Sequence, residues 1–242
     1  MIKTLLKSLL LLATLGYLVF ALVKVSRPTQ EMVCTGVEYT FADSGQISLI
    51  DQPMVEQLMA KNEFSPKGKI LADVDMGSIT ERLSANPYID TVTCYHTASG
   101  KLCIRVTPRR PLLHAFAQDG DEFYVSTQGF VMPAGGIAAD LPIVTGHVTR
   151  KMAGTRLLTL GKLLQDDEYW RNQAQQIVID EKGWVEVIPR YSGQRILLGE
   201  PKDLEEKLAR VRLFYEKAMP KVGWNKYSII NAIYKDQVIC TK

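Results

Sequence analysis

The residues best suited to acid–base or metal chemistry are few and far apart in this chain. Its three histidines are His96, His114 and His147. None has the spacing of a zinc motif, and none lies at ligand spacing from a cysteine. His96 and His147 adjoin predicted turns, where an imidazole is usually solvated. The sequence therefore predicts no metal site.

Other catalytic motifs are incomplete. Gly161 and Lys162 resemble the end of a phosphate-binding loop, but Leu163 replaces the Ser or Thr, and the segment lies in a leucine-rich helix. Acidic residues cluster at 119–122 and at 166–168. The first cluster is typical of a solvated turn and the second of an exposed helix end. We therefore expect a protein that is not an enzyme and that uses no cofactor and no small-molecule substrate.

The four cysteines are too few for a disulfide scaffold. Cys94 and Cys103 lie on the two strands of one predicted hairpin. Strand alternation turns Cys94 inward and Cys103 outward, so their side chains diverge and a bridge between them is disfavoured. Cys34 and Cys240 remain possible partners for Cys103, and the sequence leaves this disulfide state open.

The overall composition indicates a globular protein. The 242 residues are 46% hydrophobic and 23% charged, which argues against a disordered, collagen-like or coiled-coil chain. Lys and Arg number 29 and Asp and Glu 26, so the formal net charge is only +3. That charge is too small to indicate nucleic acid as the partner.

One segment departs from this average. From Ser8 to Val23 the chain has no charged residue, and with its apolar neighbours the stretch reaches about twenty residues, enough for one membrane crossing. We therefore expect a short cytoplasmic tail and a transmembrane anchor at 1–25, followed by a juxtamembrane spacer at 26–32. The alternative is a cleaved signal peptide, but the best cleavage triplet, Val19-Phe20-Ala21, lies inside the apolar run. Either way, the rest of the chain is exported.

Residues 33–108 predict a small domain in the order β-α-α-β-β. Asp51 and Asp75 have the position and side chain of helix N-caps. Ser99-Gly100 supplies the turn of a hairpin. Two helices covering one face of a three-stranded sheet form a complete layered unit. The predicted elements are a strand at 33–40, helices starting at 51 and 75, and strands at 89–94 and 102–106.

Residues 109–242 predict a second domain, mostly antiparallel β with flanking helices. Pro108-Arg109-Arg110-Pro111 interrupts the pattern and marks the boundary. The predicted elements are a hairpin at 123–132, an extended piece at 141–146, a helix at 155–165, strands at 176–180, 184–188 and 195–198, a helix at 203–219, and strands at 227–234 and 237–240.

The helix at 203–219 has the clearest pattern in the chain. Its apolar residues recur at helical spacing and predict one face directed to the core. That face comprises Leu204, Leu208, Val211 and Tyr215, and the residues expected to face outward are Glu205, Glu206, Lys207 and Arg210.

Several runs together resemble the FtsQ/DivIB family of bacterial cell-division proteins. The stretch from Asn86-Pro87-Tyr88-Ile89 through Leu102-Cys103-Ile104 to Arg110-Pro111 is similar to the family's POTRA-type domain. The resemblance continues, in the family's order, through Tyr124–Val131, Leu141–Gly146, Ile179–Arg190 and Gln237–Lys242, and Gly223–Tyr227 is similar to Bacteroidetes-like members.

The resemblance implies an α+β protein of the inner membrane with a single N-terminal transmembrane helix. Its bulk would lie in the periplasm, enriched at the division site. It also implies a scaffold without catalysis, whose partners are other division proteins such as coiled-coil proteins of the FtsB and FtsL type. Two alternatives remain. An anchored periplasmic enzyme requires convergent polar groups. A POTRA-bearing component of outer-membrane assembly or secretion requires tandem POTRA units or a barrel of many alternating strands.

The end of the chain is the predicted partner site. The strand pair Tyr227–Tyr234 and Gln237–Cys240 is expected at a sheet edge, and between Ile229 and Tyr234 neither a charge nor a proline blunts that edge. A division partner would add a strand there, with Tyr234 as the side-chain anchor. The alternative is that the 203–219 helix covers this region. The predicted partner-binding residues are Ile233, Tyr234, Gln237 and Val238.

Overall fold

A computed structural model of the protein describes residues 2–26, 32–42, 47–190 and 193–242. The chain begins with helix α1 (Ile2–Ser26), which contains the apolar run. Measured over these described residues, none of the helices combines the length and hydropathy that a membrane crossing requires. Most of the predicted spacer at 26–32 lies outside the described residues.

The chain divides into two compact units. The first contains Met1–Ser44 and Ile50–Pro108, and the second contains Gly45–Leu49 and Arg109–Lys242. The elements of the first unit are β1 (Gly36–Phe41), α2 (Gln52–Lys61), α3 (Met76–Ser84), β2 (Ile89–His96) and β3 (Lys101–Pro108), with a 3₁₀ turn at Leu71–Asp73. Its sheet has the order β1-β3-β2, with β1 parallel and β2 antiparallel to the central β3.

Both helices of the first unit begin where the sequence predicts. The Asp51 carboxylate accepts a hydrogen bond from the Met54 N–H at 3.0 Å, and Asp75 accepts one from the Ser78 N–H at 2.9 Å. These bonds satisfy backbone donors that a helix start leaves unpaired, and they also lower the pKa of Asp75. The two helices then bury their apolar residues against the sheet. The buried core comprises Val55, Met59, Ile79, Leu83, Ile89, Leu102, Ile104 and Val106 together with Cys34, Ile50 and Leu71.

The cysteines of the hairpin face opposite sides of this sheet, as predicted. Cys94 pairs with Ile104 on the core side, while Cys103 lies between Glu38 and Tyr95 on the other. Cys103 is nevertheless only 4% exposed, because β3 is the central strand and its neighbours cover it. All four cysteines are free thiols, so neither Cys34 nor Cys240 bridges to Cys103.

The second unit is built on one nine-stranded sheet. Its elements are β4 (Pro111–Ala117), β5 (Glu122–Ser126), β6 (Val131–Pro133), β7 (Ile143–Gly146), α4 (Leu158–Asp166), α5 (Glu168–Gln173), β8 (Ala174–Ile179), β9 (Val185–Pro189), β10 (Arg195–Gly199), α6 (Leu204–Lys217), α7 (Met219–Val222), β11 (Ile229–Asn231) and β12 (Ile239–Thr241). The strand order is β12-β11-β10-β9-β8-β7-β4-β5-β6. Only β10–β11, β4–β7 and β7–β8 are parallel, so the sheet is mostly antiparallel.

Strand β4 and helices α5 and α7 of this unit were not predicted. Strand β4 starts at Pro111, which was expected only to interrupt the pattern; a proline is tolerated as the first residue of a strand. Helix α5 starts after Asp167, whose carboxylate accepts hydrogen bonds from the N–H groups of Tyr169 and Trp170 at 2.8 and 3.2 Å. The second acidic run therefore includes a helix cap.

Helices α4, α5 and α6 pack on one face of the sheet. Leu204, Leu208, Val211 and Tyr215 of α6 are buried, which confirms the predicted core face. Gly161 of α4 lies against Leu112 and Leu113, and a Cβ there would come within 2.6 Å of the Leu112 side chain. This glycine therefore serves close packing rather than phosphate binding.

Lys207 corrects the prediction for α6. It is only 7% exposed, and its Nζ donates hydrogen bonds to the carbonyl oxygens of Leu198 and Glu200 at 2.8 and 2.9 Å. The prediction was wrong because this flank of α6 faces the chain that leaves β10. Burial lowers the pKa of the Lys207 ammonium.

We expect Lys207→Met to lower the free energy of unfolding by about 1–3 kcal/mol, because two carbonyls lose their donor while most of the side-chain volume remains. The pKa of Lys207 lies below its ordinary 10.5 in the folded chain. At pH values between the lowered pKa of the folded chain and 10.5, the unfolded chain binds more protons than the folded chain. The contribution of Lys207 to the free energy of unfolding therefore rises with pH over that range. Denaturant unfolding followed by tryptophan fluorescence measures both effects.

The matched control is Lys217→Met, at an exposed position of the same helix. It should change the free energy of unfolding by less than about 0.5 kcal/mol. An unchanged unfolding midpoint for Lys207→Met would show that the two hydrogen bonds contribute nothing.

Candidate protein-interaction site

The C-terminal strands form one edge of the large sheet. Strand β11 pairs parallel with β10 and antiparallel with β12, and β12 is the last strand in the order. The predicted strand pair thus lies at a sheet edge, but its outermost strand is β12 and not the segment from Ile229 to Tyr234. Ile230 and Ala232 are fully buried and fix β11 to the core.

Both strands are shorter than predicted. The Asn231 side chain accepts a hydrogen bond from the Ile233 N–H at 3.0 Å, and the Ala232 N–H donates to the Leu197 carbonyl at 2.9 Å. Asp236 then adopts a left-handed conformation with φ of 60°. The bond from the Ile233 N–H to the Asn231 side chain and the turn at Asp236 end the ladder, so residues 232–238 form a connection and not two continuous strands.

The four predicted partner-binding residues all lie in this connection. Tyr234 is 53% exposed and Gln237 is also exposed. Val238 is half-buried and packs against the core. Ile233 is half-buried and packs against Gly199, because a Cβ added to Gly199 would lie 2.9 Å from Ile233 Cγ1. Only two of the four side chains are thus well placed to meet another protein, while the other two support them.

Arg210 of α6 holds the connection in place. Its Nη2 donates to the carbonyl oxygens of Ala232 and Tyr234, both at 3.2 Å. The prediction that Arg210 faces outward was therefore wrong. Its acceptors are backbone carbonyls more than twenty positions further along the chain, and no pattern of residue types reveals such a contact.

The exposed side of the edge strand adds one residue that the sequence reasoning missed. Ile239 is 44% exposed, whereas its neighbours Val238 and Cys240 pack against the core. The alternation of apolar residues at 238–240 could have indicated it. Burial raises the pKa of the Cys240 thiol, consistent with its inward orientation. An exposed isoleucine on an edge strand is well suited to contact an added strand.

The polar side chains of the β4–β5 hairpin bind one another or neighbouring side chains of the same unit. His114 Nε2 lies 2.8 Å from Glu122 Oε1, and its ring stacks on Tyr124 with centroids 4.1 Å apart. Arg150 binds both carboxylate oxygens of Asp121 at 2.7 Å, and this pairing lowers the pKa of Asp121. The acidic turn is thus tied to Arg150. Across the described ranges, no three His, Cys, Asp or Glu side chains gather where they could hold a metal ion.

This architecture joins a POTRA-like domain to a larger β domain, and two family models match it. One, described as a POTRA-like domain, matches residues 32–107. The other, described as FtsQ/DivIB, C-terminal related, matches residues 110–241, more than half of the chain. The chain therefore belongs to the FtsQ/DivIB family, which confirms the resemblance noted in the sequence.

A relative in this family is the cell division protein FtsQ of Rhodothermus marinus. It is 27% identical to this chain over 187 residues, which cover 71% of this chain and 67% of that protein. The similarity supports a role in cell division.

Proposed function

We propose that this protein is a non-catalytic scaffold of the bacterial division machinery, which binds other divisome proteins during septum formation. The carrying observation is the edge strand β12, which lies in the part of the chain that the FtsQ/DivIB model matches. Its exposed Ile239 and the nearby connection with Tyr234 offer apolar side chains beside an open edge. A partner strand would gain affinity from main-chain hydrogen bonds and specificity from these side chains.

We further propose that residues 1–25 anchor the protein in the inner membrane and that 33–108 and 109–242 are its two periplasmic domains. The apolar side chains of α1 support the anchor. The large ones described between Leu10 and Leu22 are all at least 55% exposed, so they require an apolar environment other than the protein's own core. The proposed partners are coiled-coil proteins of the FtsB and FtsL type.

Localisation tests the proposed class of function. A fluorescent protein fused to the N-terminus should concentrate at midcell and remain there through constriction in dividing cells of the source organism. The same fusion carrying only residues 1–32 should spread along the membrane, because the proposed binding domains are missing. A uniform envelope signal from the full chain would argue against a division scaffold.

The edge itself is tested with two variants. Tyr234→Ala should weaken binding of an FtsB- or FtsL-type partner by about tenfold, as the loss of an aromatic anchor commonly does. A chain ending at Asp236 should lose binding, since it lacks β12. Pull-down followed by interferometry on the full-length protein measures both.

Trp184→Ala is the matched control, because Trp184 is an aromatic side chain of the same unit with 38% exposure. It should bind like the wild type. Thermal melting must show that each variant is folded. Wild-type binding by both folded edge variants would exclude β12 and its connection as the interface.

A further inference from the structure

A groove of about 300 Å³ lies between α6 and the α4–α5 pair of the second unit. Its apolar part is formed by Leu163, Trp170, Leu208 and Leu213. Trp170 and Leu208 are almost fully buried, whereas Leu213 is 55% exposed. A leucine exposed to this extent above a buried tryptophan leaves apolar surface in contact with water, and covering it would be favourable.

This groove is separate from the C-terminal edge. Helix geometry places Glu205, Ala209 and Leu213 on one flank of α6, and Lys207 and Arg210 on the other. The second flank holds β10 and the β11–β12 connection through the hydrogen bonds described above. A partner in the groove would therefore leave the Arg210 contacts intact.

The rim of the groove is acidic. It carries the carboxylates of Asp167, Glu205 and Glu216 against a single cation, Arg212. Arg212 is already engaged, with its Nη1 3.6 Å from Asp167 and its Nε 2.8 Å from Glu216. The groove thus has a net negative charge on a chain whose net charge is +3.

The walls indicate the form of the occupant. They are helices, whose backbone groups are largely used within the helices, so an extended segment would find few main-chain partners there. A helical segment satisfies its own backbone and can present side chains alone. Apolar residues would cover Leu213 and Trp170, and basic residues would meet the carboxylates.

We propose that this groove binds an amphipathic helix of another protein, with leucine-like side chains on its buried face and Lys or Arg along its flank. The proposal goes beyond the edge-strand interface, and the two can fail separately. The groove recognises charge as well as apolar surface, so reversing one charge on the rim, which would leave two carboxylates and two cations, should reduce the preference for a basic helix.

The probe is a labelled helical peptide of about four turns, with leucines on one face and flanking lysines, and a second peptide with glutamates in place of the lysines. Anisotropy with the full-length protein in detergent measures binding, and empty micelles give the background. The lysine peptide should bind more tightly than the glutamate peptide. Leu213→Ser, which removes the apolar side chain without adding a charge, should weaken the lysine peptide by about tenfold.

Charge reversal supplies the sharper comparison. Glu205→Lys should weaken the lysine peptide about fivefold and strengthen the glutamate peptide. Glu206→Lys is the matched control, because Glu206 is the adjacent exposed residue and is not among the residues that line the groove. It should change neither affinity. The Tyr234→Ala variant should bind both peptides as the wild type does.

Several results would overturn the proposal. Equal binding of the two peptides, or lysine-peptide binding unchanged by Leu213→Ser, would exclude the groove as a site for a basic helix. Sedimentation showing that Leu213→Ser converts a dimer to a monomer, without peptide binding to the wild type, would assign the groove to a second copy of this chain instead.

Discussion

Replacing Gly146 with alanine should lower the free energy of unfolding of the second unit by about 3–5 kcal/mol, one of the largest effects expected of any single methyl group in this protein. Gly146 ends β7 and pairs with Ile179 of the parallel strand β8. Its φ is 95°, and an added Cβ would fall on the carbonyl oxygen of Ile179. That oxygen also accepts the His147 N–H at 2.7 Å, so it has little freedom to move.

Gly120→Ala is the matched control for this substitution. Gly120 has a similar φ of 86°, but an added Cβ would meet nothing within 4 Å. It should cost only about 1 kcal/mol, the strain of the backbone conformation alone. Trp170, Trp184 and Trp224 all lie in the second unit, so denaturant unfolding followed by tryptophan fluorescence reports on it directly. Equal destabilisation by the two variants would show that the strands shift apart at no cost.

Ile104→Asp should unfold the first unit, with a loss of about 4 kcal/mol or more. Ile104 is fully buried on the central strand β3, where an aspartate would meet only apolar neighbours. Val92→Asp should be milder, because Val92 is half-buried on the edge strand β2. The larger loss of stability is expected for Ile104→Asp only because Ile104 is more deeply buried than Val92.

Thr93→Asp is the control for Ile104→Asp. Thr93 is exposed, and it lies opposite Arg105 across the ladder, so the new carboxylate gains a cationic neighbour. The first unit contains no tryptophan, and hydrogen exchange over residues 89–106 is therefore the measurement. Retained protection in Ile104→Asp would contradict the assignment of the core face.

Local chemistry is what the sequence predicts well. Asp51 and Asp75 cap their helices through bonds to residues three positions ahead, and the pattern within those segments contains everything that is needed. The core face of α6 follows in the same way from periodicity. Strand β4 was not predicted, because the proline at its first position was interpreted as an interruption of the strand pattern. Helix α5 was missed because the Asp167 cap is hidden within a run of acidic residues.

The structure of the candidate site was predicted less accurately from the sequence. Tyr234 and Gln237 were predicted and are exposed, but the lengths of β11 and β12 were not, because the Asn231 side chain ends the ladder locally. Lys207 and Arg210 were expected in solvent, yet they bind backbone carbonyls that are brought to them by the tertiary fold. The types of the neighbouring residues do not indicate such backbone acceptors, so only the folded structure reveals them.

The free thiols give this protein a built-in reporter of its own opening. Cys34 is 1% exposed and Cys103 4%, and both belong to the first unit, whereas Cys240 lies on the edge strand of the second. Since alkylation requires access to the sulfur, the labelling rates of Cys34 and Cys103 measure how often the first unit opens. Labelling of Cys240 follows the fraying of β12. Labelling rates measured with one alkylating reagent thus report on the opening of both units in the unmodified chain, without an engineered probe.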